Sequence, residues 1–276
     1  MTTEPVAVDL TVDAALVLKD LAGIDSYPTV LALMPNIYRI DDRARVRAAV
    51  RPALAEAGIA DGDRVHPVIV RWLECLHRPD IEMVVRVLDT GLGATPAGML
   101  RMSLVRSETH HVLAARCDDA VVIQSVFQPE PGIDGIVEAL NASLGPAPVL
   151  RFDPVRMPLA ELATVPSDPA SRREALLSAG AVPHTAGVLS RVLDEVVRRA
   201  EILIVEHHDG GSVETEVCLS VLDTLSGRMV VTPRAAMDGE IWSTYSPGDP
   251  AALRAGISAL IELLPGRSWF ATSRAE

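Results

Sequence analysis

Four strand-like runs closed by turn residues, then one amphipathic helix: this pattern occurs twice in the chain and limits what it can fold into. The later block is the clearer one. Residues 201–207 run into Asp209-Gly210-Gly211, and residues 213–222 run into a turn over 223–227. Residues 229–232 are short and β-branched, and residues 240–245 end at Ser246-Pro247-Gly248. Runs so closely spaced, each ended by residues that tolerate turn conformations, predict hairpins and an antiparallel sheet. Leu253, Ile257, Leu260, Ile261 and Leu264 then line one stripe of a helix, which Pro265 and Gly266 stop. The earlier block lies about 120 residues upstream. Residues 83–88 stand for 203–208, Asp89 and Gly91 for Asp209 and Gly211, and strand-like runs follow at 99–105, 110–115 and 120–127. A helix after Pro131 and Gly132 carries Ile133, Ile136, Val137, Leu140 and Leu144 on one face. The repeat predicts an α+β chain of two related lobes, residues 1–148 and 149–276, each a mainly antiparallel sheet packed with helices. The proline-rich stretch 145–166 joins them.

The remaining segments read as follows. Residues 6–10 alternate as a strand, 13–21 form a helix ended by Gly23, and 27–31 are extended before and around Pro28. Residues 41–57 are helical with Pro52 expected to kink or split them, and 67–76 form a helix with Pro67 in its first turn. Ser167 reads as the N-cap of a helix ending near Gly180. A further helix is expected over 183–199, with Val188, Val192, Leu193, Val196 and Val197 buried.

Hydrophobic residues make up 49% of the chain, which places it among folded globular proteins. A net charge of −12 argues against nucleic-acid phosphate as the partner. Cys75, Cys117 and Cys218 are odd in number and lie in apolar surroundings, as expected of buried free thiols in a reducing compartment. The first residues lack the pattern of a signal peptide, and no run of ~20 apolar residues suits a membrane span, so a cytoplasmic location is expected.

No residue pattern specifies catalysis. Asp89-Thr90-Gly91 is the tripeptide of two-lobed aspartic proteases, which need a second carboxylate to share a proton. The second lobe offers only Asp209-Gly210-Gly211 and Asp223-Thr224-Leu225. Asp89 therefore reads as a turn residue, and Asp89→Ala is expected to leave partner binding unchanged. The glycine-rich stretch 91–98 is followed by Met99 and Leu100 where a phosphate loop needs Lys and Ser or Thr, so no ATP binding is expected. Neighbours in the pairs His110-His111 and His207-His208 point to opposite faces of a strand, and no further ligands cluster with them. Cys75 and His77 diverge on a helix. No catalytic residue, metal or cofactor is predicted.

Several short stretches resemble one family. Thr215-Glu216-Val217, Ser220-Val221-Leu222-Asp223-Thr224, Gly227-Arg228, Thr232-Pro233, Asp238-Gly239-Glu240 and Ser243-Thr244-Tyr245-Ser246-Pro247-Gly248 are similar to the EspG family. So are Leu263-Leu264-Pro265-Gly266 with Trp269-Phe270, and Ser26-Tyr27-Pro28 with Val30-Leu31-Ala32. The family more often has one residue between the Pro and Gly that are adjacent here as Pro265 and Gly266. The resemblance implies cytosolic, non-enzymatic chaperones of mycobacterial type VII (ESX) secretion, built of two quasi-twofold-related lobes. It implies binding to the hydrophobic tip of the PPE subunit of a PE–PPE heterodimer, release aided by a cytosolic AAA+ ATPase, and docking on the central sheet and C-terminal helical bundle. A structural or regulatory part of the secretion machinery and a two-lobed hydrolase are the alternative functions.

The expected docking face follows from strand alternation. With Val213, Val217, Leu219 and Val221 inward, Glu214, Glu216 and Ser220 point away from the core, and Arg228, Val230, Thr232, Trp242 and Thr244 are expected to extend that face. Trp242 is equally well read as core. The loop 90–97, with Thr90, Leu92 and Thr95, is a second candidate. Charge reversal at Arg228 together with Glu216 is expected to weaken the partner complex without unfolding the chain.

Overall fold

A computed structural model describes residues 4–35, 40–91, 98–128 and 131–274. Leu92, Thr95 and most of the loop 90–97 lie outside the described residues. The first half contains β1 (Ala7–Thr11), α1 (Val12–Ala22), a 3-10 turn (Thr29–Leu31), α2 (Ile40–Glu56), β2 (Ala60–Asp61), β3 (Arg64–Val65) and α3 (Pro67–His77). There follow β4 (Ile81–Asp89), β5 (Gly98–Ser107), β6 (His110–Cys117), β7 (Ala120–Ser125) and α4 (Asp134–Leu144). The second half contains β8 (Val155–Pro158), α5 (Leu159–Leu162), α6 (Pro169–Ser178), α7 (Pro183–Val192), β9 (Val196–His208) and β10 (Gly211–Glu214). It ends with β11 (Leu219–Thr224), β12 (Gly227–Ala235), β13 (Ile241–Pro247) and α8 (Pro250–Glu262).

Local chemistry accounts for the helix ends. Thr11 caps α1 by accepting the amide of Ala14, and Gly23 closes it at φ 70. Asp249 caps α8 by accepting the amide of Ala252 at 2.8 Å, with Pro250 in the first turn. Asp168, not Ser167, caps α6, its carboxylate accepting the amide of Ser171 at 2.9 Å. Pro52 lies inside α2, which stays a single helix over Ile40–Glu56.

Ten strands follow one another in a single sheet, in the order β1-β7-β6-β5-β4-β9-β11-β12-β13-β8, with β10 paired to β9. The fold is α+β, and the order reads the same outward from the β4–β9 pair in either direction, as a quasi-twofold arrangement requires. The two lobes do not own separate sheets: β4 pairs with β9 over nine residues, from Ile81 opposite Glu206 to Asp89 opposite Arg198.

The helix stripes correspond as the repeat predicts, Ile136, Val137, Leu140 and Leu144 of α4 matching Gly256, Ile257, Leu260 and Leu264 at the end of the chain. The central strands do not keep that offset. Odd-numbered Ile81, Met83, Val85 and Val87 of β4 share one core with even-numbered Ala200, Ile202 and Ile204 of β9. An even offset would put one of the two sets on the wrong face, because side chains alternate with a period of two.

Helices cover the sheet unequally. On one face α4 and α8 lie together over the centre, and Gly256 lets α8 approach β11 so closely that a Cβ there would collide with Leu219. On the other face α1 and α3 cover the first half and α6 and α7 the second, each over its own core. The expected helix over 183–199 is cut short for this reason. Its last residues, Val196 to Arg199, open the 13-residue β9, which is long enough to pair with both β4 and β11. The expected strand over 213–222 breaks between β10 and β11, where buried Thr215 exchanges hydrogen bonds with the backbone of Ile204. Cys75 is buried and its thiol is pushed up to about 12 by that burial, but Cys117 is exposed, contrary to the expectation for all three thiols.

The C-terminal segment closes one end of the sheet. Trp269 is 1% exposed, stacks on His111 and donates its indole N–H to His111 Nε2 at 3.0 Å. Burial, with Arg106 nearby, pushes the His111 imidazole down to about 4. The folded state thus holds it neutral, whereas an unfolded chain protonates it near 6.5. This contribution is complete above pH 6.5 and is lost as the pH falls towards 4, amounting to about 2–3 kcal/mol. We expect urea denaturation to show that difference between pH 7 and pH 4.5, and His111→Gln to remove most of the slope. Equal slopes in both proteins would refute it.

Candidate functional site: an open trough on the central strands

The helix layers of the second face stop short of each other, and β4 and β9 lie between them. Val84 and Leu88 of β4 and Glu201 and Leu203 of β9 are half-buried, and Arg86 and Arg199 are exposed. Next to them is a cleft of about 290 Å³ walled by Pro28, Val30, Val84, Arg86, Leu203 and Val205, with Ser212 and Glu214 of β10 at its edge. Its floor is rigid. Glu82 is buried, accepts a hydrogen bond from Ser103 Oγ at 2.8 Å and lies 3.4 Å from His207 Nε2. Tyr27 fixes the wall by donating its hydroxyl to the Ala15 carbonyl at 2.9 Å. Such a surface has apolar residues spaced along flat strands, flanked by charges, and no enclosed chamber. It suits a protein segment better than a small reactant.

The residues expected to form one docking face divide between two. Glu214 is paired with Val205 and Ser220 with Glu201, so both lie on the trough side. Glu216 is exposed and lines a different depression, beside Leu264 and Pro265 at the end of α8. Arg228, Val230, Thr232, Trp242 and Thr244 face the α8 side. Val230 is 0% exposed in the core beneath α4 and α8, and Thr232, Trp242 and Thr244 are half-buried. Trp242 carries the Arg156 guanidinium 4.8 Å above its ring. Arg228 is 2% exposed and paired with Asp223, which overturns the expectation that its charge can be reversed without unfolding the chain. Arg228 and Val230 are structural because β12, two strands from the centre, is covered on both faces. Thr90 donates its hydroxyl to the Val197 carbonyl at 3.1 Å, which ties the start of its loop to β9.

The other candidates for chemistry are engaged locally. Asp89 binds Arg198 at 3.0 Å and accepts the Gly91 amide, and these partners hold its carboxyl below the usual range. His208 lies 3.2 Å from buried Glu206, which accepts the Gly266 amide at 2.9 Å in the turn after α8. Among the described residues no group of three or more His, Cys, Asp or Glu side chains is placed to hold a metal ion. No helix there is long and apolar enough to cross a membrane.

Val84, Leu88 and Leu203 escaped the reading of the sequence because apolar residues fall on both faces of β4 and β9, so alternation does not mark which face is covered. The one local signal was Arg86, which interrupts the apolar run from Met83 to Leu88.

The family model described as the EspG family matches residues 11–259. The chain belongs to the EspG family. Its curated relatives include the ESX-1 secretion-associated protein EspG1 of Mycobacterium tuberculosis, 30% identical over 96% of this chain and 89% of the relative. The ESX-3 secretion-associated protein EspG3 of Mycolicibacterium smegmatis is 32% identical over 96% of this chain and 90% of its own. Among solved structures, the Mycobacterium tuberculosis type VII secretion system chaperone EspG5, in complex with the PE25-PPE41 dimer, has the same fold. Its TM-score to this EspG-family chain is 0.80 at 19% identity, covering 97% of this chain and 100% of EspG5.

Proposed function

We propose that this chain is a non-enzymatic chaperone of type VII secretion that holds the PPE subunit of a PE–PPE heterodimer by its apolar tip in the cytoplasm. The supporting observation is the trough: two central strands are covered by α4 and α8 on one face, and on the other present Val84, Leu88 and Leu203 among charged side chains. A hydrogen-bonded sheet with half-buried Leu203 and Val84 on its open face can shield an apolar tip reversibly, which keeps such a cargo from self-association. EspG5, which shares the fold, was solved with a PE–PPE dimer, and EspG1 and EspG3 are secretion-associated. Residues 1–148 and 149–276 are the two copies of one duplicated unit, and their junction at β4 and β9 forms the trough. A cytosolic AAA+ ATPase of the same secretion system is the expected releasing partner.

Co-expression with candidate PE–PPE pairs followed by gel filtration tests this. We expect one pair to co-elute with the wild type. Leu203→Asp should weaken that complex by about 10- to 100-fold, as loss of a central interface contact does, with a thermal midpoint close to wild type. If Leu203→Asp melts normally and co-elutes with undiminished affinity, the trough is not the docking site.

A further inference from the structure

We propose that the trough selects its partner by charge as well as by apolarity: Arg86 and Arg101 bind carboxylates beside the apolar tip of the bound protein. This rests on the docking reading above and names the chemistry of the segment that docks. The observation is a ladder of like charges. Arg116 of β6 lies opposite Arg101 of β5, and Arg101 lies opposite Arg86 of β4. Three guanidinium groups therefore start from one face of three adjacent strands, where like charges directly opposite each other destabilise a sheet.

The fold compensates only the outermost. Arg116 donates to the carbonyls of Leu31 at 3.0 Å, of Ala32, and of Asp118 at 2.8 Å. Arg86 and half-buried Arg101 make no hydrogen bond or ion pair among the described residues. Glu201 stands opposite Arg86 on β9 but is not in ion-pair contact with it. The buried arginines of this chain behave differently: Arg106, Arg172 and Arg228 each engage a carboxylate and backbone carbonyls.

Hydrogen bonds and ion pairs within the fold therefore do not explain Arg86 and Arg101, and their placement does suggest a ligand. Arg86 stands between Val84 and Leu88 along β4, so a carboxylate bound there sits next to apolar contacts. A planar guanidinium fork accepts a carboxylate through two parallel hydrogen bonds. In a chain of net charge −12, two cations that make no ion pair, at the centre of one face, favour a carboxylate of the partner at close range.

The test begins with the PE–PPE pair that the wild type retains in gel filtration. Its affinity is measured by titration calorimetry at low and high salt for the wild type, Arg86→Glu, Arg101→Glu, the double variant and Arg86→Gln. Each reversal should weaken binding by about tenfold or more with an unchanged melt, and Arg86→Gln by less. The wild-type affinity should fall with salt while that of the double variant stays flat, and an Asp or Glu changed to Arg in the PPE tip should restore binding to Arg86→Glu. Affinities within twofold of wild type, with unchanged salt dependence, overturn the charge reading and leave the docking reading intact. If a reversal lowers the melt, Arg86→Gln decides by the same criterion. Retention of no PE–PPE pair by the wild type overturns both readings. Arginine-dependent binding of a short DNA duplex as tight as that of the protein pair overturns the proposal in favour of a phosphate site.

Discussion

Arg228→Glu, as a single change, lowers stability by about 3–5 kcal/mol or abolishes folding. Arg228 is 2% exposed and grips Asp223 with two parallel bonds, Nε to Oδ1 at 2.6 Å and Nη2 to Oδ2 at 2.9 Å. The two residues are cross-strand neighbours in β11 and β12. Nη2 also donates to the carbonyl of Leu144, where α4 ends. The Arg228 backbone donates to Pro148 and accepts from Leu150 and Gly248, which fastens the junction between the halves to the second one. A glutamate here would set two buried carboxylates against each other and leave the Leu144 carbonyl with only its bond from Arg198 Nη1 at 3.1 Å. Asp223→Ala leaves an unpaired buried guanidinium and should cost a similar amount. Urea denaturation followed by circular dichroism measures both. A soluble Arg228→Glu protein with a wild-type midpoint would show that the pair is dispensable.

That pair also shows what the sequence can and cannot tell. The stretch from Ser220 to Arg228 carries part of the family likeness, and in the sequence Asp223 reads as the start of a turn and Arg228 as part of a docking face. Pairing removed both charges from the surface, and pairing depends on register, which periodicity does not supply. Element types were legible where terminators, prolines and apolar spacing agree, as at Gly23 and Pro67. They failed where two periods compete: Val192, Leu193, Val196 and Val197 fit a helical stripe, yet the last two begin the central strand. The repeat was visible in the α4 and α8 stripes and misleading by one residue in β4 and β9, where only the partner strand fixes which face is which. The trough was not legible, because a strand with apolar residues on both faces does not show which of them the helices leave open.

Arg106→Ala should be nearly as damaging as Arg228→Glu, with a more local signature. Arg106, 3% exposed at the end of β5, binds Asp80 at 2.9 Å and the Glu108 carbonyl at 2.8 Å. Its Nε donates to the carbonyl of Trp269 at 2.6 Å, and its Nη2 to that of Thr272. Asp80 completes the lock by accepting the amides of Glu108 at 2.7 Å and Arg274 at 2.9 Å. One guanidinium thus satisfies carbonyls more than 160 residues away and holds Trp269 against His111. Its loss leaves Asp80 and three carbonyls short of a donor, a cost of about 3–5 kcal/mol by analogy with broken buried ion pairs. The C-terminal segment should detach before the sheet melts, because Asp80 and Arg106 supply three of its polar anchors, at Trp269, Thr272 and Arg274, while the β-ladder does not involve it. Hydrogen exchange should accelerate first over residues 268–274, and tryptophan emission should shift to the red as Trp269 reaches water. Arg106→Lys should rescue little, since a single ammonium cannot reach acceptors spread around a planar fork. If Arg106→Ala keeps its midpoint within about 2 °C of wild type and its emission is unchanged, packing of Trp269 alone holds the segment.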